Sequence, residues 1–293
     1  MTAAPSLDPI MRVPSGHHPR GRTALPSALA LGVARTRLEL RQFFRERQAV
    51  IFIFAYPIIM LAIFATVFGQ NGATVGPEPG VPFSTYFLPG MIATGILLSS
   101  FQNFAIGIAE ERDNGTLKRL RGTPMPASAY FLGKIGSVLT TSLIQLVLLL
   151  AVAATLFDVD LPSDADRWVT LAWVFVLGTA SGAICGIAFS SIPRSARSAN
   201  AVVTPVVLVL QFISGVFFTY ADLPTWMQQT AALFPLKWMA QGMRSVFLPD
   251  WATTLEPAGT WEHGRTAIVL GAYLVLGLVV ALRTFRWRRR DDG

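Results

Sequence analysis

The sequence predicts an all-α integral membrane protein with six transmembrane helices and both termini on the cytoplasmic side. Three observations carry this expectation. Of the 293 residues, 52% are hydrophobic and 14% are charged, and such a chain has more apolar side chains than one soluble core hides. Six stretches, 48–77, 79–109, 135–157, 168–193, 198–221 and 266–282, contain no Asp, Glu, Lys or Arg. Each is near or above the roughly 20 residues that cross a hydrocarbon core of about 30 Å as a helix. One orientation leaves only Arg167, Lys237, Arg244 and Arg265 of the 24 Lys and Arg residues outside, and the positive-inside bias selects it over its inverse.

Residues 1–48 are expected to form a cytoplasmic tail followed by an amphipathic interfacial helix. Arg20 and Arg22 ahead of the apolar run 24–34 imitate a signal peptide, but Pro26 breaks that run. Arg35, Arg37, Arg41, Arg45 and Arg47 then lead directly into a complete span. A disordered start to about Pro26 is expected, then a helix with Leu38, Phe43 and Phe44 at the lipid interface and its arginines towards headgroups.

The spans are expected at about 49–69, 87–109, 135–157, 168–190, 199–219 and 265–283, with Arg265 and Arg283 snorkelling from the ends of the last. Asp158, Asp160, Asp164 and Asp166 fall in an outer connection. Segment 222–250 contains an uncharged run too short to span and broken by Pro224 and Pro235. It is expected to dip into the outer leaflet as short re-entrant helices, with Trp226, Trp238, Trp251 and Trp261 at headgroup depth. Residues 284–293 form a basic cytoplasmic C-terminus.

Several chemistries are disfavoured. The net charge of +7 lies beside spans, the pattern of orientation and anionic-lipid contact rather than of nucleic-acid binding. No span supplies an ionisable group near the midplane for ion coupling. Their polar members are uncharged: Gln102, Asn103, Thr141, Gln145, Gln211 and Ser214. Interhelical hydrogen bonding and contact with a translocated compound both remain open for these. Gly178, Gly182 and Gly186 form two overlapping small-xxx-small patterns on one helical face, which implies close packing either within the subunit or across a dimer. Cys185 is alone, and His17, His18 and His263 build no catalytic or metal constellation. Gly133-Lys134 lacks the remaining residues of a phosphate loop. No cofactor is expected on this chain.

Between the second and third spans lies the charged segment 110–134, opening with EERDNGTLKRLRGTPMP at 110–126. Gly115 permits a sharp turn, Asp113 or Asn114 can cap a following short helix, and Pro124 ends it. Leu117 and Leu120 then project among Lys118, Arg119 and Arg121. The residues alone leave two readings open: apolar knobs for a cleft on a partner, or a loop lying back on the membrane whose charges only orient the spans.

Glu111-Arg112, then Gly115-Thr116-Leu117, Leu120 and Thr123-Pro124, resemble the cytoplasmic signature of type-2 ABC exporter permeases. The order of features agrees over most of the chain. Residues 41–69 resemble the interfacial helix and a first span ending in Val-Phe-Gly; 88–91 resemble the Pro-Gly start of the second. The run Ser-Gly-Val-Phe-Phe at 214–218 and the outer segment 235–244 also correspond, while Thr219 stands where proline often follows.

The resemblance implies a permease of an ATP-driven exporter in a bacterial inner membrane, of drug-resistance type. Its partners would be two cytoplasmic ABC ATPase subunits, which carry the ATP and Mg, and a second copy or a homologous permease. Energy would enter through Glu110, Glu111, Arg112, Gly115, Thr116, Leu117, Leu120, Thr123 and Pro124. The uncharged spans make a hydrophobic or amphipathic compound the expected cargo, drug or lipid-like. Export of polysaccharide or lipid precursors is the alternative, and a membrane-embedded lipid-modifying enzyme the rival outside transport.

Overall fold

The chain enters the bundle through a helix that lies against it before the first span begins. A computed structural model describes residues 27–69, 72, 74–193 and 195–284. The expected tail up to Pro26 and the C-terminal segment from 285 onward lie outside the described residues. Helix α1 (Ala28–Arg45) is capped by Ser27, whose Oγ accepts from the Ala30 N–H at 3.2 Å. The chain bends at Glu46 into α2 (Arg47–Gly69). A small antiparallel pair, β1 (Thr74–Val75) with β2 (Val81–Pro82), leads into α3 (Phe83–Leu97), a π-helical turn at Leu98–Gln102, and α4 (Asn103–Asp113). There follow α5 (Thr116–Arg121), α6 (Ala127–Leu156), α7 (Ala165–Phe189), α8 (Ala196–Ile213), α9 (Thr225–Ala232), α10 (Pro235–Phe247) and α11 (His263–Thr284).

Among the described residues, six helices are long and apolar enough to cross a membrane: Val50–Gly69, Phe83–Asp113, Ala127–Leu156, Ala165–Phe189, Ala196–Ile213 and His263–Thr284. The second is the axis of the bundle, with 78% of its apolar window buried against 11% for the first and 22% for the last. Its π turn has a local cause. Ser99 Oγ donates to Gly95 O at 2.8 Å and Ser100 Oγ to Ile96 O at 2.5 Å, and such back-bonding by serine competes with the helical ladder.

The glycine face of α7 packs against this turn within the same subunit. A Cβ on Gly182 would stand 2.2 Å from Ser100 Oγ, and one on Gly186 would stand 2.6 Å from Phe101 O. The carbonyl belongs to the backbone and cannot turn aside. Gly186→Val is therefore expected to cost about 1–3 kcal/mol by overpacking, read as a lowered thermal midpoint of the purified protein. Gly107→Ala, where a Cβ would meet nothing within 4 Å, should leave the midpoint nearly unchanged.

Several uncharged polar side chains bind neighbouring helices. Gln145 Nε2 donates to Ile53 O at 3.1 Å, Tyr56 Oη donates to Gln211 Oε1 at 2.9 Å, and Ser99 and Ser142 share a bond of 2.6 Å. Gln145 and Gln211 thus tie α6 and α8 to α2, while Thr141 donates to Val138 O in its own helix. Gln102 and Asn103 instead line a cleft beside α2.

The structure departs from the expected boundaries and surroundings in several places. The fifth span ends at Ile213 instead of about 219, because Ser214 is its cap and Gly215 turns the chain at φ +70°. The third begins at Ala127, so much of 110–134 is already helix, and the second begins at Phe83 instead of about 87. Arg35 does not face headgroups: it is buried against α6, because Glu39 and Glu111 stand beside it. Trp238 is likewise buried within the protein, its Nε1–H donating to Ala232 O at 2.8 Å.

All of α10 is buried, including two cations of the expected outer re-entrant segment. Arg244 Nε pairs with Glu256 at 2.6 Å and Nη1 donates to Gly215 O at 3.1 Å, which fastens α10 to the end of α8. Lys237 sits over the Trp238 ring at 3.8 Å, donates to Gln241 Oε1 and lies 3.8 Å from Glu262. Burial pushes its ammonium down to about 8, against the pull of Glu256 and Glu262.

Candidate functional site

The site is built at the end of the bundle that carries Arg112, Lys118, Arg119 and Arg121, called here the basic end. Asp113 closes α4, Asn114 follows, and Gly115 at φ +76° reverses the chain, a conformation costly to any residue with a Cβ. Asn114 Oδ1 accepts from the Thr116 N–H at 3.0 Å and from its hydroxyl at 2.7 Å, which starts α5. At the other end Thr123 Oγ1 donates to Leu120 O at 2.6 Å, just before Pro124. Six residues between two such turns make a helix too short to persist alone. Tertiary contact must hold it.

Leu117 supplies that contact. It is fully buried among Phe104, Ile108, Tyr130, Val138, Ile184 and Ile187. The expectation that it projects as a knob towards a partner is therefore corrected: the pitch of α5 turns it into the bundle. Leu120 is half-buried on the rim of the same cluster. What α5 and its following turn present outward is Lys118, Arg119, Arg121, Gly122, Thr123 and Pro124.

Three consecutive side chains at the end of α4 spread the connection sideways. Glu111 Oε1 accepts from Lys134 Nζ at 2.6 Å, and its Oε2 accepts from Tyr130 Oη at 2.6 Å. Lys134 also reaches Glu39 at 2.9 Å, and Arg35 pairs with Glu39, so one buried network joins α1, α4 and α6. Arg112 Nη2 donates to Ser190 O at 2.8 Å and Oγ at 3.3 Å, at the end of α7. Asp113 Oδ2 accepts from the Ala196 N–H at 3.3 Å, at the start of α8. The end of α4, from which α5 leaves, is therefore tied by side chains to α1, α6, α7 and α8.

The site residues predicted from sequence do not all meet. Glu111, Arg112, Gly115, Thr116, Leu117, Leu120, Thr123 and Pro124 are gathered in or beside α5 and its flanking turns. Glu110 turns away into clefts along α1 and α2, which it shares with Asn103. Thr141 lines the larger of these, Gln145 and Gln211 are occupied between helices, and Ser214 is buried at the cap of α8 near the opposite end. Sequence reasoning missed Arg35, Glu39, Tyr130, Lys134 and Ser190. The spacing Arg35–Glu39, one helical turn, was a usable signal for the first two.

This order of elements, with the Glu-Arg-Asp end of one span and a short capped helix beyond it, matches a known domain. A family model described as ABC-2 type transporter matches residues 33–248. The chain belongs to the ABC-2 type transporter family. Among relatives, the inner membrane transport permease YadH of Escherichia coli K12 is 25% identical over 193 residues, 66% of this chain and 74% of the relative. The protein of that name in Shigella flexneri matches to the same extent. A probable multidrug ABC transporter permease, YbhR of E. coli K12, is 20% identical over 173 residues, 59% of this chain and 46% of the relative. This ABC-2 permease is a multi-pass inner membrane protein and the membrane component of a transporter, and its relatives are named as transport permeases. Membership of the family implies association with ABC ATPase subunits.

Proposed function

We propose that this ABC-2 permease exports a hydrophobic or amphipathic compound, and that two ATPase subunits drive it from the cytoplasm through α5. The carrying observation is the division of labour on α5: Leu117 is fully buried in the bundle while Arg119, Arg121 and Thr123 stand outward. A helix so arranged offers a cationic face to a partner and a rigid apolar root to the membrane domain. The basic end faces the cytoplasm in this reading, as the distribution of Lys and Arg favours. ATP and Mg are held by the partner subunits, and a second permease, a copy or a homologue, completes the pathway.

Closure of the ATPase pair pushes on α5, and the Glu111, Arg112 and Asp113 contacts pass the movement to the surrounding helices. The name of YbhR speaks for drug-like cargo, and the uncharged interior of the spans agrees with an apolar body. The test is ATP-driven export by this chain and its genome-neighbouring ATPase reconstituted together in vesicles. ATP-dependent movement of an amphipathic dye away from the ATPase side is expected. Movement towards the ATPase side, or none for any apolar or amphipathic compound with an assembled, ATP-hydrolysing complex, would refute the reading.

A further inference from the structure

Two adjoining clefts open at the basic end, beside the corner where α1 turns into α2. The larger, about 500 Å³, lies between α1, α4 and α6. The smaller, about 320 Å³, lies between α2 and α4. Glu46, Asn103, Gly107 and Glu110 line both, so the two are continuous. Their volumes are those of pockets that take small organic molecules.

The smaller cleft has a distinct chemical character. Its walls include Phe52, Ile53, Leu98 and Ile106, and its amides include Gln102 and Asn103. Among the described residues, its charged lining side chains are Glu46 and Glu110, both exposed, with no lysine or arginine in that lining to match them. The larger cleft also contains Arg35, Arg45 and Lys134. Arg35 and Lys134 are occupied by Glu39 and Glu111, which leaves Arg45 as the basic residue of that cleft outside the buried network. Gly107 lines both clefts, and a Cβ there would meet nothing within 4 Å. The space is open to the backbone itself.

We propose that this cleft is a binding site for amphipathic cations: an apolar or aromatic body against Phe52, Ile53, Leu98 and Ile106, and one positive charge between Glu46 and Glu110. The physical reason is that two carboxylates at the edge of a low-dielectric wall attract a cation more strongly than water does alone, and Phe52 adds a face on which a cation rests favourably. A neutral amphiphile gains only the walls, and an amphipathic anion is repelled. The inference rests on the export reading for its role, the capture of cargo from the inner half of the bilayer. The binding itself does not depend on that reading.

The test uses the full chain in phosphatidylcholine nanodiscs and a pair of ions of matched shape and opposite charge, tetraphenylphosphonium and tetraphenylborate, with uptake by empty discs subtracted. Saturable binding of tetraphenylphosphonium and not of tetraphenylborate is expected. Glu46→Gln with Glu110→Gln should weaken the cation by about tenfold or more. Glu46→Lys with Glu110→Lys should reverse the preference towards tetraphenylborate, which a merely structural role for these residues does not produce. Gly107→Phe should lower affinity for the cation by filling the space without altering charge. Equal binding of the two ions by the parent protein, or undiminished cation affinity in the double glutamine variant, would overturn the proposal. Selective binding without ATP-driven export would overturn the exporter reading and leave the site standing; export of uncharged amphiphiles without selective binding would do the reverse.

Discussion

Leu117→Asp is expected to unfold the basic end of the permease before any partner is added. The side chain is fully buried in the apolar cluster that includes Phe104, Ile108, Tyr130, Val138, Ile184 and Ile187, and an unpaired carboxylate forced into such surroundings either ionises at great cost or takes up a proton. A loss of about 4 kcal/mol or more follows, in the range of the severest single substitutions. The purified variant should show a sharply lowered thermal midpoint or fail to remain monodisperse. Leu117→Met conserves volume and apolarity and should cost less than about 1.5 kcal/mol. Arg119→Glu with Arg121→Glu behaves oppositely: stability should change by less than about 0.5 kcal/mol per site on an exposed face, while co-purification of the ATPase is lost. This separation of stability from docking distinguishes the buried root of α5 from its presented face.

Glu111→Ala has the second largest expected effect. Glu111 is the acceptor for Lys134 at 2.6 Å and for the Tyr130 hydroxyl at 2.6 Å, and Arg35 lies 3.7 Å away. Removing it leaves cations buried with one carboxylate, Glu39, between them. Breaking a buried pair from one side typically costs about 3–5 kcal/mol. Glu111→Met combined with Lys134→Met removes one charge of each sign and keeps the Arg35–Glu39 pair, so it should recover much of the loss. The double-mutant cycle of Glu111→Met, Lys134→Met and their combination, read on thermal stability, measures the coupling directly. Strict additivity of the two single losses would show that Glu111 and Lys134 do not act as a unit.

The fold class and the count of spans were legible because charge-free runs of bilayer length are a strong signal, and burial within the protein does not alter it. The short helix α5 was legible because Asn114-Gly115 and Thr123-Pro124 punctuate it by local backbone chemistry. The side on which Leu117 lies was not legible. Both faces of a six-residue helix carry leucine or base, and only packing into the apolar cluster of the bundle decides which turns inward. Lys237 and Arg244 escaped for a related reason. A base in a loop reads as solvated, and their acidic partners, Glu262 and Glu256, lie 25 and 12 residues further on, beyond any local periodicity. Gly215 ended the fifth span early, within an uninterrupted apolar run, where hydropathy gives no stop.

The central claim is that the outward face of α5 and its following turn touches the ATPase. A benzophenone carried on cysteine at Thr123→Cys, in a Cys185→Ala chain co-expressed with its ATPase, tests it in the intact complex. Irradiation should yield a covalent permease–ATPase adduct from position 123 and none from a control cysteine at Asp158, at the opposite end of the bundle. An intact complex that gives no adduct at 123, or gives one at 158, would contradict it.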